Sequence, residues 1–348
     1  MKTLTKVLIG IPVGAAVLFG AMLGTAAYIT KQNFQRGDYP ADRSSEKTAF
    51  GWYPAFAADY PRESADFPYG DLTLKGYLYG MENTDRLLVF AHGIGTGHEA
   101  YMNQLCWFVD HGWRVFAYDA VGCGDSPGDS TVGLTESALV LDSALTFAEQ
   151  DDRLKNMPKV LLGHSWGGFA VGGVLNFDHD VKAAAELSGY AYPMEMMNLG
   201  AKAAVGSVGA AVFSPFSALY NKIVYGKHAG LNAVDGINKA GIPFLAMHGE
   251  RDGFVKPEVG IFSQTDKITN PHAEFVPITG EFSHHNDFFH SEECNRAVAE
   301  CYAGDSRSQE ELLEVFSAEH FTDADKALFR AVNEPLLQQI QAFYEKVL

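Results

Sequence analysis

The chain has 348 residues, 47% hydrophobic and 20% charged, a globular balance with enough apolar material for a full core. Its formal net charge is −17, from 26 basic and 43 acidic side chains. So acidic a surface repels phosphate backbones, which argues against nucleic acid as a partner.

The N-terminus is the one biased segment. Lys2 and Lys6 precede a run, residues 7–30, that carries no charge, and Lys31 ends it. As a helix this run rises about 36 Å at roughly 1.5 Å per residue, enough to cross a hydrocarbon core of about 30 Å with some tilt. A cleavable signal has an apolar stretch of only about 7–15 residues, so residues 1–31 read as an uncleaved membrane anchor in preference to a signal segment. Thr25, Ala26 and Ala27 supply small residues for cleavage in the second case. Lys2 and Lys6 favour an N-terminus inside, against Lys31 and Arg36, so the folded domain is expected outside the cytoplasm, anchored or, after cleavage, secreted.

Residues 32–66 are polar and mixed, with Pro40, Pro54 and Pro61, and read as a linker; residues 67–348 read as the folded domain. Leu72, Leu74 and Leu78, with Gly76 between them, suggest a first strand. Apolar runs at 86–91, 113–118, 160–163, 183–187, 243–247 and 274–278 then alternate with helical stretches near 101–109, 135–149 and 166–175. Strands without polar alternation are buried on both faces, as in parallel sheets, and their alternation with helices implies βαβ units. The fold class is therefore α/β, with the site expected at the carboxyl ends of the strands. The rhythm breaks over residues 190–240, far longer than an ordinary connection, which predicts a helical lid insertion. This insertion carries Met194, Met196 and Met197, side chains that adapt to irregular apolar ligands. The region 308–348 reads as helical, with Thr322 and Asp325 placed as an N-cap pair. Cys294 and Cys301 share a helical stretch near 291–302, and seven helical residues separate them by about 10 Å, too far for a disulfide.

Four segments carry chemistry. Gly163-His164-Ser165-Trp166-Gly167 follows a strand and opens a helix, the setting in which a G-x-S-x-G serine is held strained and exposed as a nucleophile. A serine needs a base, an orienting acid and donors for the developing oxyanion. His92-Gly93-Ile94-Gly95 follows the first long apolar run, and the backbone N–H groups of Ile94 and Trp166 are the candidate oxyanion hole. Asp252 lies just past a late strand, in His248-Gly249-Glu250-Arg251-Asp252, and is the candidate acid. His284 and His285 follow the last strand, giving the order Ser, Asp, His; adjacent side chains point different ways, so only one of the two can face Ser165. His-His-x-Asp supplies too few convergent ligands for a metal, and no metal site is expected. Gly93-x-Gly95 and Gly122-x-Gly124 lack the third glycine of a dinucleotide fingerprint, with His98 and Pro127 at the required positions, and no cofactor is expected.

Over residues 70–286 these motifs resemble the α/β-hydrolase superfamily, in the branch of serine aminopeptidase-like and monoacylglycerol-lipase-like members. The matching segments include Asp119-x-x-Gly122-x-Gly124-x-Ser126, whose Asp119 and Gly122 shape a loop in that family, and His285-Asn286-Asp287. The resemblance implies a mostly parallel sheet, Asp252 as the acid and His285 as the base, although Ser283-His284 stands where a glycine before the histidine is common. It implies a serine hydrolase acting on a small acyl ester or lipid-like substrate, with no obligate protein partner evident. The rival readings are an aminopeptidase, for which Glu195 is a candidate to hold a substrate amine, and a catalytically silent membrane-anchored binding protein.

Overall fold

The computed structural model describes residues 2–36, 52–302 and 322–348, with side chains described for 16–36, 52–300 and 322–348. Among these residues eight strands form one sheet and two form a separate hairpin. In chain order the strands are β1 (Arg62–Ser64), β2 (Phe67–Tyr69), β3 (Leu72–Leu74), β4 (Gly76–Tyr79), β5 (Leu87–Ala91), β6 (Arg114–Tyr118), β7 (Lys159–His164), β8 (Val181–Leu187), β9 (Phe244–Gly249) and β10 (Ala273–Ile278). The sheet order is β1-β4-β6-β5-β7-β8-β9-β10. β1 and β4 run antiparallel and every pair from β6 to β10 is parallel, the result expected of apolar runs separated by helices.

The helices are α1 (Lys2–Asn33), α2 (Met102–Asp110), α3 (Glu136–Gln150), α4 (Trp166–Val174), α5 (Pro193–Tyr225), α6 (Ala233–Ala240), α7 (Glu292–Tyr302), α8 (Asp323–Phe329) and α9 (Glu334–Glu345). The sheet divides two cores. Val89 of β5 joins Ala138, Phe169 and Ile237 of α3, α4 and α6 on one face. Its neighbours Leu88 and Phe90 join Leu105 and Phe108 of α2 and Leu337, Ile340 and Tyr344 of α9 on the other. Successive strand side chains point to opposite faces, so a strand between two helical layers must be apolar at every position.

Two differences from the sequence reading have local causes. The expected first strand is divided: β3 pairs with β2 in the hairpin, while β4 enters the main sheet. The break falls at Lys75, whose N–H donates to the Ser126 hydroxyl and whose carbonyl accepts from Asp119 N–H, so it serves a loop and not a strand partner. The sheet also begins earlier than Leu72, at the short polar strand β1. The insertion is helical as expected, but its long helix breaks at Gly206, where φ is +73°, into two halves. At the other end Thr322 and Asp325 form the reciprocal capping box. The expected helix over 308–321 lies outside the described residues. α7 runs unbroken through Cys294 and Cys301, and Cys294 is a buried free thiol.

Candidate active site

Ser165 stands at the turn from β7 into α4 with φ +58° and ψ −114°, backbone values that side-chain-bearing residues seldom take. Close packing holds this turn. A Cβ added to Gly163 would lie 2.2 Å from the Gly167 carbonyl oxygen, and one added to Gly167 would lie 1.9 Å from the Ala91 carbonyl oxygen. The two motif glycines are thus required by the approach of α4 to β5 and β7. The Ser165 N–H donates to the Leu187 carbonyl at 2.9 Å, tying the turn to β8.

Asp252 follows β9 and is buried. One carboxylate oxygen accepts from the Phe254 and Val255 N–H groups, each at 2.9 Å. The other accepts from His285 Nδ1 at 2.7 Å. Burial pushes the Asp252 carboxyl up, but the hydrogen bond and charge of His285 outweigh it and hold the group below the usual carboxylate range. His284, the adjacent candidate, is exposed. Of the two histidines only His285 is given to Asp252.

Ser165, Ile94 and Trp166 line one cavity of about 350 Å³, together with Leu134, Tyr190, Met196, Met197, Phe213, Phe254 and Val255. The volume lies at the small end of the roughly 300–1,000 Å³ typical of small-molecule sites. The β5 loop approaches Ser165 closely: a Cβ on Gly93 would lie 3.7 Å from Ser165 Cβ. Glu195 is exposed in the first turn of α5 and lies outside this cavity.

Several participants are absent from the sequence reading. The Gly93 N–H donates to the Tyr101 hydroxyl at 3.1 Å, which donates to His164 Nδ1 at 2.8 Å; His164 Nε2 donates to the His285 carbonyl at 2.9 Å. This chain of hydrogen bonds joins the loop after β5 to the loop carrying His285. Burial, with the neighbouring His285 adding to it, pushes His164 down to about 3, so it stays neutral and keeps one donor and one acceptor. Glu186, at the end of β8, is fully buried, and burial pushes its carboxyl far up. It accepts from the Gly189 N–H at 2.6 Å, under the first turn of α4. A lone carboxylate closing the apolar strand V-K-A-A-A-E-L is the signal that marks it. Asp119 accepts from His98 N–H and Nδ1 and from the Asp125 N–H, a structural knot that fits the loop-shaping role implied by the resemblance.

Comparisons with known proteins bear on the fold that carries this site. The profile of the serine aminopeptidase family, S33, matches residues 82–212. A proline iminopeptidase of Saccharolobus solfataricus is 35% identical over 95 residues, which cover 26% of this chain and 29% of that protein. The chain therefore spans under a third of the length of this curated relative. An esterase of Pyrococcus furiosus superposes with a TM-score of 0.56 at 16% identity, covering 87% of this chain and 99% of that one. A second crystal form of it gives 0.53 at 19% identity, over 72% and 90%. The fold is the α/β-hydrolase fold.

Proposed function

We propose that the protein is a serine hydrolase that cleaves a carboxylic ester, with Ser165 as nucleophile, His285 as general base and Asp252 as the acid that orients it. The observation that carries this reading is the 2.7 Å hydrogen bond between His285 Nδ1 and a buried Asp252, with the His285 ring centroid 4.7 Å from that of His164, the residue before the strained Ser165. That bond fixes the proton on Nδ1 and leaves Nε2 free to accept. Ser165 Oγ attacks the acyl carbon while Nε2 takes its proton. The carbonyl oxygen becomes an oxyanion facing the N–H groups of Ile94 and Trp166. Collapse breaks the ester bond, and the alcohol leaves with the proton from Nε2. A water then gives its proton to Nε2, attacks the acyl-enzyme and frees the acid, and Ser165 recovers its proton.

The cavity favours an acyl chain over a peptide. Met196, Met197 and Phe213 give it apolar walls, and no carboxylate lines it among the described residues to hold a substrate amine. The test is labelling with a fluorophosphonate, which forms a Ser–phosphorus bond only at an activated serine. Wild type should label and Ser165→Ala should not; equal labelling rejects the nucleophile. A panel of esters and peptide amides then separates esterase from peptidase.

We also propose that α1 anchors the enzyme in a membrane, with the hydrolase domain outside the cytoplasm. The uncharged run 7–30 lies within one helix, Lys2–Asn33. Full-length protein should stay in the pellet after carbonate extraction, and its release into the supernatant rejects the anchor.

A further inference from the structure

α1 does more than lead into the domain. Its last turns bring Ala26, Ile29, Thr30 and Asn33, with Phe34 just after them, to the wall of the cavity that Ser165 also lines. Ala26 and Thr30 are buried, so this is a packed wall. Higher up, Phe19 meets Phe216 of α5 with ring centroids 5.5 Å apart. Beyond α1, the Phe34 carbonyl accepts from Thr131 N–H, and Arg36 donates to the Gly124, Ser126 and Gly128 carbonyls.

The outward side of the same pair of helices is apolar and exposed. Val17 and Leu18 of α1 are 68% and 65% exposed, and Val208 of α5 is 81% exposed. No residue from 203 to 221 is charged. The stretch Pro193–Ala240 is long and apolar enough to cross a membrane, yet almost none of that apolar window is buried within the protein. Exposed apolar side chains on two helices that pack together mark a partner or membrane face. The uncharged run that adjoins it, long enough to span a bilayer, selects the membrane.

We propose, building on the ester-hydrolase reading, that α1 is part of the substrate site and that the cavity takes the acyl chain of a single-chain lipid ester from the bilayer. The chain enters along the seam between α1 and α5 and lies against Ile29, Asn33 and Phe34, while its ester reaches Ser165. Cleavage after Ala27 would remove Ala26 from the wall and the Phe19–Phe216 contact, so an intact anchor is a condition of long-chain specificity.

The test uses the full chain in phosphatidylcholine vesicles. A fluorophosphonate carrying a dodecyl chain with a terminal diazirine is bound at Ser165 and irradiated, and the crosslinked peptides are mapped. Crosslinks should fall within residues 26–34, at the end of α1, as well as on α5. Labelling of Ser165 with no crosslink on α1 overturns the proposal. Failure to label Ser165 overturns the ester-hydrolase reading itself and the proposal with it. In a second arm, Ile29→Trp and Asn33→Trp narrow the cavity from the α1 side. The ratio of kcat/KM for dodecanoyl over acetyl ester should fall about ten-fold or more, the scale set by small steric changes in apolar pockets. An unchanged ratio in both variants overturns the proposal.

Discussion

The carboxyl edge of the sheet and the α1–α5 pair meet at one cavity and are built on opposite terms. At the sheet edge Ser165, Asp252 and His164 are buried, hydrogen-bonded or strained, and Gly163 and Gly167 leave no room for a methyl group. On the helical pair Val17, Leu18 and Val208 are exposed, and Gly200 and Gly206 have open space around them. The first region fixes the side chains proposed to react; the second offers a surface whose shape depends on what covers it. Substitutions at the edge should therefore act on turnover, and those on the helices on substrate choice.

The largest break in this contrast is at the proposed base. His285→Ala should lower kcat by about a million-fold, as removal of a triad histidine does elsewhere, whereas His284→Ala, exposed, should leave most of it. Steady-state kinetics on an acetyl ester checks both; a dead His284→Ala beside an active His285→Ala reverses the assignment. Asp252→Asn should cost about ten-thousand-fold in kcat by favouring the wrong imidazole tautomer, with KM little changed.

Much of this was legible in the sequence. The G-x-S-x-G corner, the position of Asp252 after a late strand and the order Ser, Asp, His depend on local turn chemistry and chain order, which one sequence displays. What was not legible depends on packing between distant segments. β1 reads R-E-S and shows no apolar alternation, because it joins the sheet by backbone pairing and by the Arg62 guanidinium, which donates to the Tyr79 hydroxyl and lies over the Tyr77 ring. Tyr101 looks like the start of an ordinary helix, and only the fold brings its hydroxyl to His164. The reach of α1 into the cavity was invisible because a uniformly apolar run has no preferred face to read.

Glu136 tests the border between the two regions. It accepts from the Val132 N–H and the Tyr69 hydroxyl and faces Tyr225 at the end of α5. Burial raises its carboxyl from 4.5 to about 7. A folded-state value above the unfolded one means that the folded protein binds the extra proton. This contribution is fully present below 4.5 and is lost as pH rises through about 7, a change of about 3 kcal/mol. Glu136→Gln should flatten that loss, as measured by urea unfolding at a series of pH values; a parallel decline in both proteins removes Glu136 from the account. The smallest expected effect is at Tyr101. Tyr101→Phe removes the link between Gly93 and His164 and should lower kcat by about ten-fold, because near-attack geometry is sensitive to small displacements, and should lower stability by about 1–3 kcal/mol, because a buried donor and acceptor lose their partner. Unaltered kcat would show that the two loops are held independently.

The three carbonyls that receive Arg36 give the N-terminal helix a mechanical meaning. They belong to Gly124, Ser126 and Gly128, in the loop after β6, so the helix is riveted to the domain just past its end and does not hang from it as a flexible stalk. If α1 spans a bilayer as proposed, its tilt and the attitude of the whole domain become a single variable. A thicker or thinner membrane would then rotate the mouth of the cavity with respect to the lipid headgroups, and the composition of the membrane would act on the enzyme as a control of aim.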